Sequence, residues 1–524
     1  MSRAALFAAL ALVSAGIAGA TPTWTSLQTL ASGGIALAPE VALNGSGGAV
    51  AVWDQETGPD CATSPASLMC IHTVETAYRS QSGAAWDSGH AIARPGVGAR
   101  PQAAINAGGD AALLWVHDIG RDRVVQATLR RGSTGEFPNP NDLSDSVLEV
   151  RSHHIALDDA GDAVAVWAQR PVDRFEVHAE IRRANLGYWG VATLLSRAEV
   201  NGGPALAVTP ASDAFVVWME NGVVESVHGS ISSGTWDAPV ALTTATDAEG
   251  DPVVAVNDSG DAVAAWQWRD QPRDPTIVQA SFRPAHGSWG PVANLATVGR
   301  DFAHAPQVGI DGAGNAIALW TDDSGLRSAA RTTATGAWSK PTALTHAVAS
   351  DPQLAVDARG DAVAVWIDAA TKSVDAAVRV TGAWQPALHV TSAQSSSPRV
   401  AIDDAGDGAA LWNAPAGSDV DVQAADLAGD WEPTLVNTRR PAVDGIPRVG
   451  RTVMCDRGAW EGTVPISYAY QWRRSGMNVR GATHRTYRIR RRDAGTLLAC
   501  RVTATNPART LAVASRPVRV RPLK

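Results

Sequence analysis

The stretch from Asp351 to Trp366, D-P-Q-L-A-V-D-A-R-G-D-A-V-A-V-W, contains the pattern that decides the fold. Two short apolar runs flank the turn sequence D-A-R-G-D, so the stretch predicts a β-hairpin closed by a residue with positive φ. In the second run the alanines and Trp366 share one face and the valines share the other, because successive strand residues point to opposite sides. Both faces are apolar, so we expect other sheets to cover this hairpin on both sides.

The same hairpin pattern returns seven more times, and every copy ends in a tryptophan. These residues are Trp53, Trp115, Trp167, Trp218, Trp266, Trp320, Trp366 and Trp412. A second aromatic residue follows each copy in a Gly-x-Trp-like run, and one extra run, Thr23 to Leu27, precedes the first hairpin. A period of 46 to 62 residues with four short strands per repeat is typical of β-propeller blades.

We therefore predict an all-β chain whose residues 21–436 form an eight-unit β-propeller with four-stranded blades. The extra N-terminal run is expected to pair in the last blade and close the ring, because a closed ring removes exposed sheet edges. An open array of the same sheets is the structural alternative. The propeller part resembles the Trp-bearing repeats of secreted bacterial proteins.

The spacing of the aromatic residues indicates where the repeat varies. The gap from each second aromatic residue to the next hairpin tryptophan is 28 to 31 residues, whereas the gap after the hairpin tryptophan is 18 to 33 residues. Length variation confined to one connection is typical of binding loops. In the fifth repeat this connection contains an additional tryptophan, so we predict a ligand-binding site there. The candidate residues are Trp268, Arg269, Asp270, Arg273 and Asp274.

The carboxylates of the repeated turn, such as Asp357 and Asp361, are tempting candidates for acid–base chemistry or calcium binding. The turn occurs in all eight repeats, however, whereas an active site is needed once. Aspartate and asparagine also stabilise such turns by hydrogen bonding to nearby backbone. We interpret these residues as scaffold, and the sequence contains no nucleophile elbow, phosphate loop or zincin motif. No catalytic residue, metal or cofactor is predicted.

The N-terminus and the cysteines indicate an exported protein. Residues 1–20 consist of a basic start, an apolar run and A-G-A, which predicts a signal peptide, and no later segment is apolar enough to span a membrane. The four cysteines form two local pairs, for which we predict the disulfides Cys61–Cys70 and Cys455–Cys500. Zinc binding by the first pair with His72 is disfavoured, because the spacing is not that of a zinc motif.

A second domain is predicted after a linker at residues 437–440. From residue 439 onward there are 19 Lys and Arg against 4 Asp and Glu, compared with 25 against 48 in the rest of the chain. The order Cys455, Trp472, Cys500 and the motifs G-A-W-E-G, Y-A-Y-Q-W and C-R-V-T-A-T-N predict an Ig-like sandwich over residues 441–522. This part resembles the bacterial Ig-like modules of secreted surface proteins.

These features predict a secreted or cell-surface binding and adhesion protein with a glycan or protein ligand on the variable-loop face. Its basic Ig-like domain is expected to contact an anionic envelope polymer rather than nucleic acid, because an exported protein meets such polymers. The alternative partner of this basic domain is the acidic propeller of the same chain. The alternative function is a carbohydrate-active hydrolase or lyase that uses Asp270 and Asp274. Whether the chain is an enzyme therefore stays open, with binding favoured.

Overall fold

The computed structural model describes two compact units. The described residues are 23–25, 27–58, 61, 70–93, 100–119, 122–132, 135–147, 149–244, 248–270, 274–299, 306–428, 435–462, 466–505 and 510–522. The first unit contains the described residues up to 428, and the second unit contains those from 435 onward. The predicted signal peptide lies outside the described residues. Within the described ranges, no helix has the length and apolarity needed to cross a membrane.

The first unit begins with two short strands, β1 (Thr23–Trp24) and β2 (Gln28–Ala31). Eight successive groups of strands follow in the described ranges, which we number as modules 1 to 8; modules 1 and 8 belong to one nine-stranded sheet together with β1 and β2. Modules 1 and 2 contain β3 (Ile35–Leu43), β4 (Ala49–Thr57), β5 (Ile71–Arg79) and β6 (His90–Ala93), then β7 (Gln102–Ile105), β8 (Ala111–Ile119), β9 (Asp122–Arg130) and β10 (Asn141–Asp142). Modules 3 and 4 contain β11 (Glu149–Leu157), β12 (Ala163–Arg170), β13 (Glu176–Arg182) and β14 (Thr193–Leu194), then β15 (Val200–Val208), β16 (Asp213–Glu220), β17 (Val223–Ser230), β18 (Thr235–Trp236) and β19 (Val240–Ala241).

The other four modules are built in the same way. Modules 5 and 6 contain β20 (Ala248–Val256), β21 (Ala262–Trp268), β22 (Thr276–Arg283) and β23 (Ala293–Val298), then β24 (Gln307–Ile310), β25 (Ala316–Asp322), β26 (Gly325–Arg331) and β27 (Thr342–Thr345). Modules 7 and 8 contain β28 (Ala349–Val356), β29 (Ala362–Asp368), β30 (Val374–Val380), β31 (Ala383–Trp384) and β32 (Leu388–His389), then β33 (Ser396–Ile402), β34 (Gly408–Ala416) and β35 (Asp419–Ala428). Strands within a module pair antiparallel in chain order, except that β19 pairs with β17 and β32 pairs with β30.

The first strands of the modules form a closed cycle. Each contacts the first strand of the next module, and β33 of module 8 contacts β3 of module 1. The N-terminal strands complete module 8, since Trp24 pairs with Leu427 and Gln28 pairs with Ala424 on β35. The structure thus has the closure that the sequence predicts, because the outer edge of β35 would otherwise lack a partner.

Side chains also connect the first and last modules. Arg399 donates from Nε to Glu40 Oε1 at 2.6 Å, and Arg79 pairs with Asp426. Both ion pairs join residues that are more than 340 positions apart in the chain. They therefore stabilise the same closure as the N-terminal strands.

The core lies between neighbouring modules. All eight hairpin tryptophans are at most 1% exposed, and the first seven, Trp53 to Trp366, each lie in a cluster that joins residues of two neighbouring modules. Trp366, for example, packs with Leu319 and Leu326 of module 6. This confirms that both faces of the hairpin are covered, which the alternation of apolar residues predicts.

The second unit is also built from strands. It contains β36 (Leu435–Arg439), β37 (Ala442–Asp444), β38 (Thr452–Asp456), β39 (Ala459–Gly462), β40 (Ser467–Arg474), β41 (Met477–Asn478), β42 (Thr486–Arg488), β43 (Leu497–Thr505), β44 (Thr510–Ala514) and β45 (Val518–Arg519). The only helical element in the described ranges is a 3₁₀ turn, Arg491–Asp493, so the all-β prediction is confirmed. The sheets have the orders β36-β39, β37-β38-β42 and β41-β40-β43-β44, with β45 also on β43.

The core of the second unit surrounds Trp472, which pairs with Cys500 across β40 and β43. Both predicted disulfides, Cys61–Cys70 and Cys455–Cys500, are present. Residues 437–439 of the expected linker belong to β36, which pairs with β39. The basic, proline-containing composition suggested a linker, but backbone pairing gives these residues a place in the second unit.

Candidate functional site

The repeated Asp and Asn turns hold the scaffold together. Asp357 Oδ1 accepts hydrogen bonds from the backbone N–H groups of Arg359 and Asp361, both at 2.9 Å. Asp403 makes the same two bonds, to Ala405 and Asp407, at 2.8 Å. These oxygens satisfy backbone donors that the tight turn would otherwise leave without a partner.

One such turn from each module surrounds a cavity of about 360 Å³ where the first strands converge. Its wall includes an aliphatic side chain from the end of every first strand, such as Leu43, Ile105 and Val356. Four turns add a carboxylate, at Asp159, Asp258, Asp357 and Asp404. Asp159 accepts a hydrogen bond from the neighbouring turn, so it also contributes to contacts between modules.

The described residues of the predicted loop have different surroundings. Trp268 is the last residue of β21, and its side chain packs against the cluster that contains Met219 of module 4. Arg269 Nη2 donates to Thr276 Oγ1 at 2.9 Å, on the first residue of β22. Asp270 is exposed and Asp274 is half-buried. Arg273 lies outside the described residues, so a ligand site in this loop stays a prediction.

A substitution within the repeat creates a different site. In six modules an arginine on the third strand lies opposite the first residue of the second strand. These are Arg79, Arg130, Arg182, Arg283, Arg331 and Arg379. In module 4 the equivalent residue, opposite Ala214, is Gly229.

Four of these arginines lie over aromatic rings, three of them, Arg130, Arg283 and Arg331, over a ring of the preceding module and Arg79 over Trp86 of its own module. The Arg130 guanidinium lies 3.9 Å from the centre of the Tyr78 ring, and the Arg331 guanidinium lies 3.6 Å from that of Phe282. Burial lowers the pKa of both arginines, while nearby carboxylates oppose this effect. Two grooves of about 450 and 570 Å³ lie beside these arginines. In each groove the guanidinium already covers a face of an aromatic ring that a ligand would otherwise contact.

At Gly229 an aromatic ring, rather than an arginine side chain, covers the strand. The Trp236 ring lies directly on the Gly229 backbone, so a Cβ atom there would be 2.4 Å from Trp236 Cε3. Trp236 also lines a groove of about 300 Å³ between modules 3 and 4. Because module 4 lacks the arginine, this aromatic wall remains open to a ligand.

Module 3 supplies the opposite wall of this groove. Leu186, Tyr188 and Val191 line it and are 48%, 62% and 89% exposed. The turn that presents them is fixed by hydrogen bonds from the N–H groups of Leu186 and Gly187 to the Arg183 carbonyl. Arg183 and Thr193 add polar groups to the lining. The groove thus combines two aromatic side chains, exposed aliphatic surface, a guanidinium and a hydroxyl, which suits a ring-shaped ligand with one apolar face.

The sequence prediction did not include this groove, because it rested on the variable length of one connection in the repeat and not on differences in residue type. The signal was present at Tyr188, which precedes the second aromatic residue of its repeat, where the other copies have Ala, Glu, Thr, Ser or Asp. Gly229 carried the second signal, since it replaces a recurring arginine. Comparison of the repeats position by position would have found both residues.

No protein-family model and no curated protein matches this chain. Among solved structures it is similar to a fungal alcohol oxidase of the AA5 family (9% identity, TM-score 0.42, covering 95% of this chain and 99% of that one). It is also similar to the β-propeller domain of the Trilobed protease from Pyrococcus furiosus (9%, 0.40, 68% and 96%) and to the six-bladed lectin of Aleuria aurantia (12%, 0.34, 59% and 96%). At these TM-scores the likenesses carry no inference about the ligand of this chain.

Proposed function

We propose that this chain is a secreted or cell-surface binding protein that holds a saccharide in the groove between modules 3 and 4. In this proposal residues 21–436 form an eight-bladed β-propeller and residues 441–522 form an Ig-like domain. The closed cycle of first strands supports the propeller, and the Trp472–disulfide core supports the Ig-like domain. The two disulfides support an oxidising compartment.

The open aromatic wall is the observation that carries the proposal. A pyranose ring has an apolar C–H face that stacks on aromatic side chains, and Tyr188 and Trp236 line the groove from opposite modules. Arg183 and Thr193 supply hydrogen-bond donors for ring hydroxyls. Exposed apolar side chains concentrated at one site are typical of interaction surfaces.

Glycan arrays followed by titration of the best ligand would test this proposal. Tyr188→Ala should weaken binding by about two- to twelvefold, from the loss of a stacking contact worth about 0.5–1.5 kcal/mol. Gly229→Arg should abolish binding, because it introduces the residue that six modules carry at this register. Val172→Ala is the matched control, since Val172 is a 75% exposed apolar residue of module 3 outside the groove.

The same experiment separates the other candidate site and function. Unchanged affinity in both groove variants, with loss in Trp268→Ala, would move the site to the predicted loop. Release of a sugar product that stops in Asp270→Asn or Asp274→Asn would favour the hydrolase or lyase. The lining of the groove itself has no carboxylate among its described residues, so turnover there would contradict the proposal.

An anionic envelope polymer is the partner that we propose for the second unit. Arg488, Arg490, Arg491 and Arg492 are all exposed, and the adjacent Asp493 is fully buried against Arg474 and Tyr487. The full chain should bind isolated envelopes at low salt and dissociate as screening increases. Replacing the four arginines with glutamine should remove this retention; retention that persists would contradict the proposal.

A further inference from the structure

The groove between modules 5 and 6 has a lining with one positive charge. Its volume of about 570 Å³ is within the range of about 300–1000 Å³ that is typical of small-ligand sites. Module 5 supplies Phe282 and residues 290–294, and module 6 supplies Arg331 and Trp338. The described lining contains no carboxylate, so an anionic ligand meets attraction from Arg331 without an opposing charge in the groove.

Arg331 differs from its counterparts in the other modules in the bonding of one atom. In Arg283 and Arg379 the Nη1 atom donates to the carbonyl of a turn glycine, at 3.4 and 2.9 Å respectively. In Arg331 the same atom is buried and has no acceptor among the described residues. A buried donor without a partner is unfavourable, so Arg331 gains more from an anionic ligand than its counterparts would.

The guanidinium of Arg331 is held at the groove by stacking. It lies 3.6 Å from the centre of the Phe282 ring on module 5. Its Nη2 atom lies beside Gly336 of the same lining, where a Cβ atom would be 3.8 Å away. Stacking uses the face of the guanidinium and leaves the N–H groups at its edge available to a carboxylate.

Trp338 and Asn294 provide contacts for a ring that carries hydroxyl groups. Trp338 is partly buried and gives the module 6 side of the groove an aromatic surface. Asn294 is exposed, and its Oδ1 accepts a hydrogen bond from Gln279 Nε2 at 2.8 Å. Gln279 Oε1 in turn accepts from Trp266 Nε1 at 2.9 Å. These bonds orient the Asn294 amide, so its Nδ2 is the donor that can reach a ligand hydroxyl.

The groove between modules 1 and 2 shows why charge distinguishes these sites. It also contains a stacked arginine, Arg130, but its lining includes Asp87 and Glu136, which would repel an anion. These acidic residues directly follow and directly precede the second aromatic residue of their repeats. In the groove between modules 5 and 6 the corresponding residues are Gly290 and Ala337.

We propose that the groove between modules 5 and 6 binds a saccharide unit that carries a carboxylate, which is a uronic acid. Arg331 pairs with the carboxylate, Trp338 stacks on the apolar face of the ring, and Asn294 donates to a ring hydroxyl. One guanidinium balances the single charge of a carboxylate, whereas a phosphate group carries about −1.5 to −2 charges. This site is separate from the groove between modules 3 and 4, so either site can fail its test without affecting the other.

Calorimetric titration of the full chain with trigalacturonate and with its methyl ester tests the role of the charge. The ester keeps the sugar rings and removes the negative charges, so it should bind roughly tenfold or more weakly than the acid. The comparison uses the unaltered protein and does not depend on the folding of a variant. Equal affinity for the acid and the ester would overturn the proposal.

Variants then locate the site. Arg331→Gln should weaken binding of the acid by roughly tenfold or more and leave the weaker binding of the ester unchanged. Arg283→Gln is the matched control, because Arg283 has the same register and lies outside this groove. Asn294→Ala alters an exposed side chain and should weaken both ligands by about two- to twelvefold, so it locates the site even if Arg331→Gln does not fold.

Circular dichroism establishes that each variant is folded. Unchanged affinity for the acid in folded Arg331→Gln would overturn the proposal, because the acid would then bind elsewhere, for example at the basic second unit. Loss of acid binding in Tyr188→Ala but not in Arg331→Gln or Asn294→Ala would assign the acid to the groove between modules 3 and 4, which also overturns it.

Discussion

Replacing Trp366 with alanine tests whether the hairpin tryptophans hold the modules together. Trp366 is 1% exposed and packs with Leu319, Leu326 and Ala349. Burial of about 200 Å² at roughly 25 cal/mol per Å² gives an upper limit of about 5 kcal/mol for its contribution. Tryptophan-to-alanine changes in protein cores cost about 3–5 kcal/mol, because they also leave a cavity. We therefore expect modules 6 and 7 to lose about 3–5 kcal/mol of stability.

Native-state hydrogen exchange of the β29 amides measures this loss locally, which matters because eight modules need not unfold as one. Trp384→Ala in the same module is the matched control. Trp384 contacts the same cluster but is only partly buried, so its replacement should cost less. A loss below about 1 kcal/mol in Trp366→Ala would refute the argument from burial.

Three further changes test other parts of the structure. Burial raises the pKa of Glu180 to about 7. The folded protein should therefore keep its full stability below about pH 4.5 and lose part of it as the pH rises through 7, because the buried carboxylate then becomes charged. Thermal melts of Glu180→Gln should not show this pH-dependent loss of stability. Asp357→Ala should cost about 1–3 kcal/mol in chemical unfolding, whereas Asp357→Asn keeps the accepting oxygen and should cost less; equal losses would contradict the turn's role. Removing the Cys455–Cys500 disulfide should lower the free energy of unfolding by about 4 kcal/mol, and removing Cys61–Cys70 should lower it by about 3 kcal/mol, because the former closes the longer loop. A larger drop in melting temperature on removal of Cys61–Cys70 would contradict this reasoning.

The repeats were predictable because their signals are local. A hairpin such as Asp351 to Trp366 shows strand alternation, a turn and a buried aromatic residue within 16 positions. Both disulfides were predictable because each pair is close in sequence and the N-terminal sequence predicts export to an oxidising compartment. The closing strand was predictable from one surplus copy, Thr23 to Leu27.

The candidate sites were harder to predict from the sequence, because each depends on contacts between two strands or two modules. The interpretation of Trp268 as a ligand contact rested on its absence from the repeat; in the structure this partly buried residue packs on module 4, and its role in binding stays a prediction. Nothing near Tyr188 in sequence indicates that Trp236 will face it across a groove. That relation depends on Gly229, whose missing side chain matters only when two modules pack.

The sequence by itself determined the all-β class, the repeated hairpins, the disulfides and the basic C-terminal part, because composition, periodicity and turn chemistry are properties of adjacent residues. Only the tertiary structure decided which residues meet. Antiparallel pairing set Asn294 opposite Gln279, and packing of neighbouring modules opened one aromatic wall while arginines covered others. These outcomes depend on strand register and on sheet-to-sheet packing, which join residues that no local pattern connects.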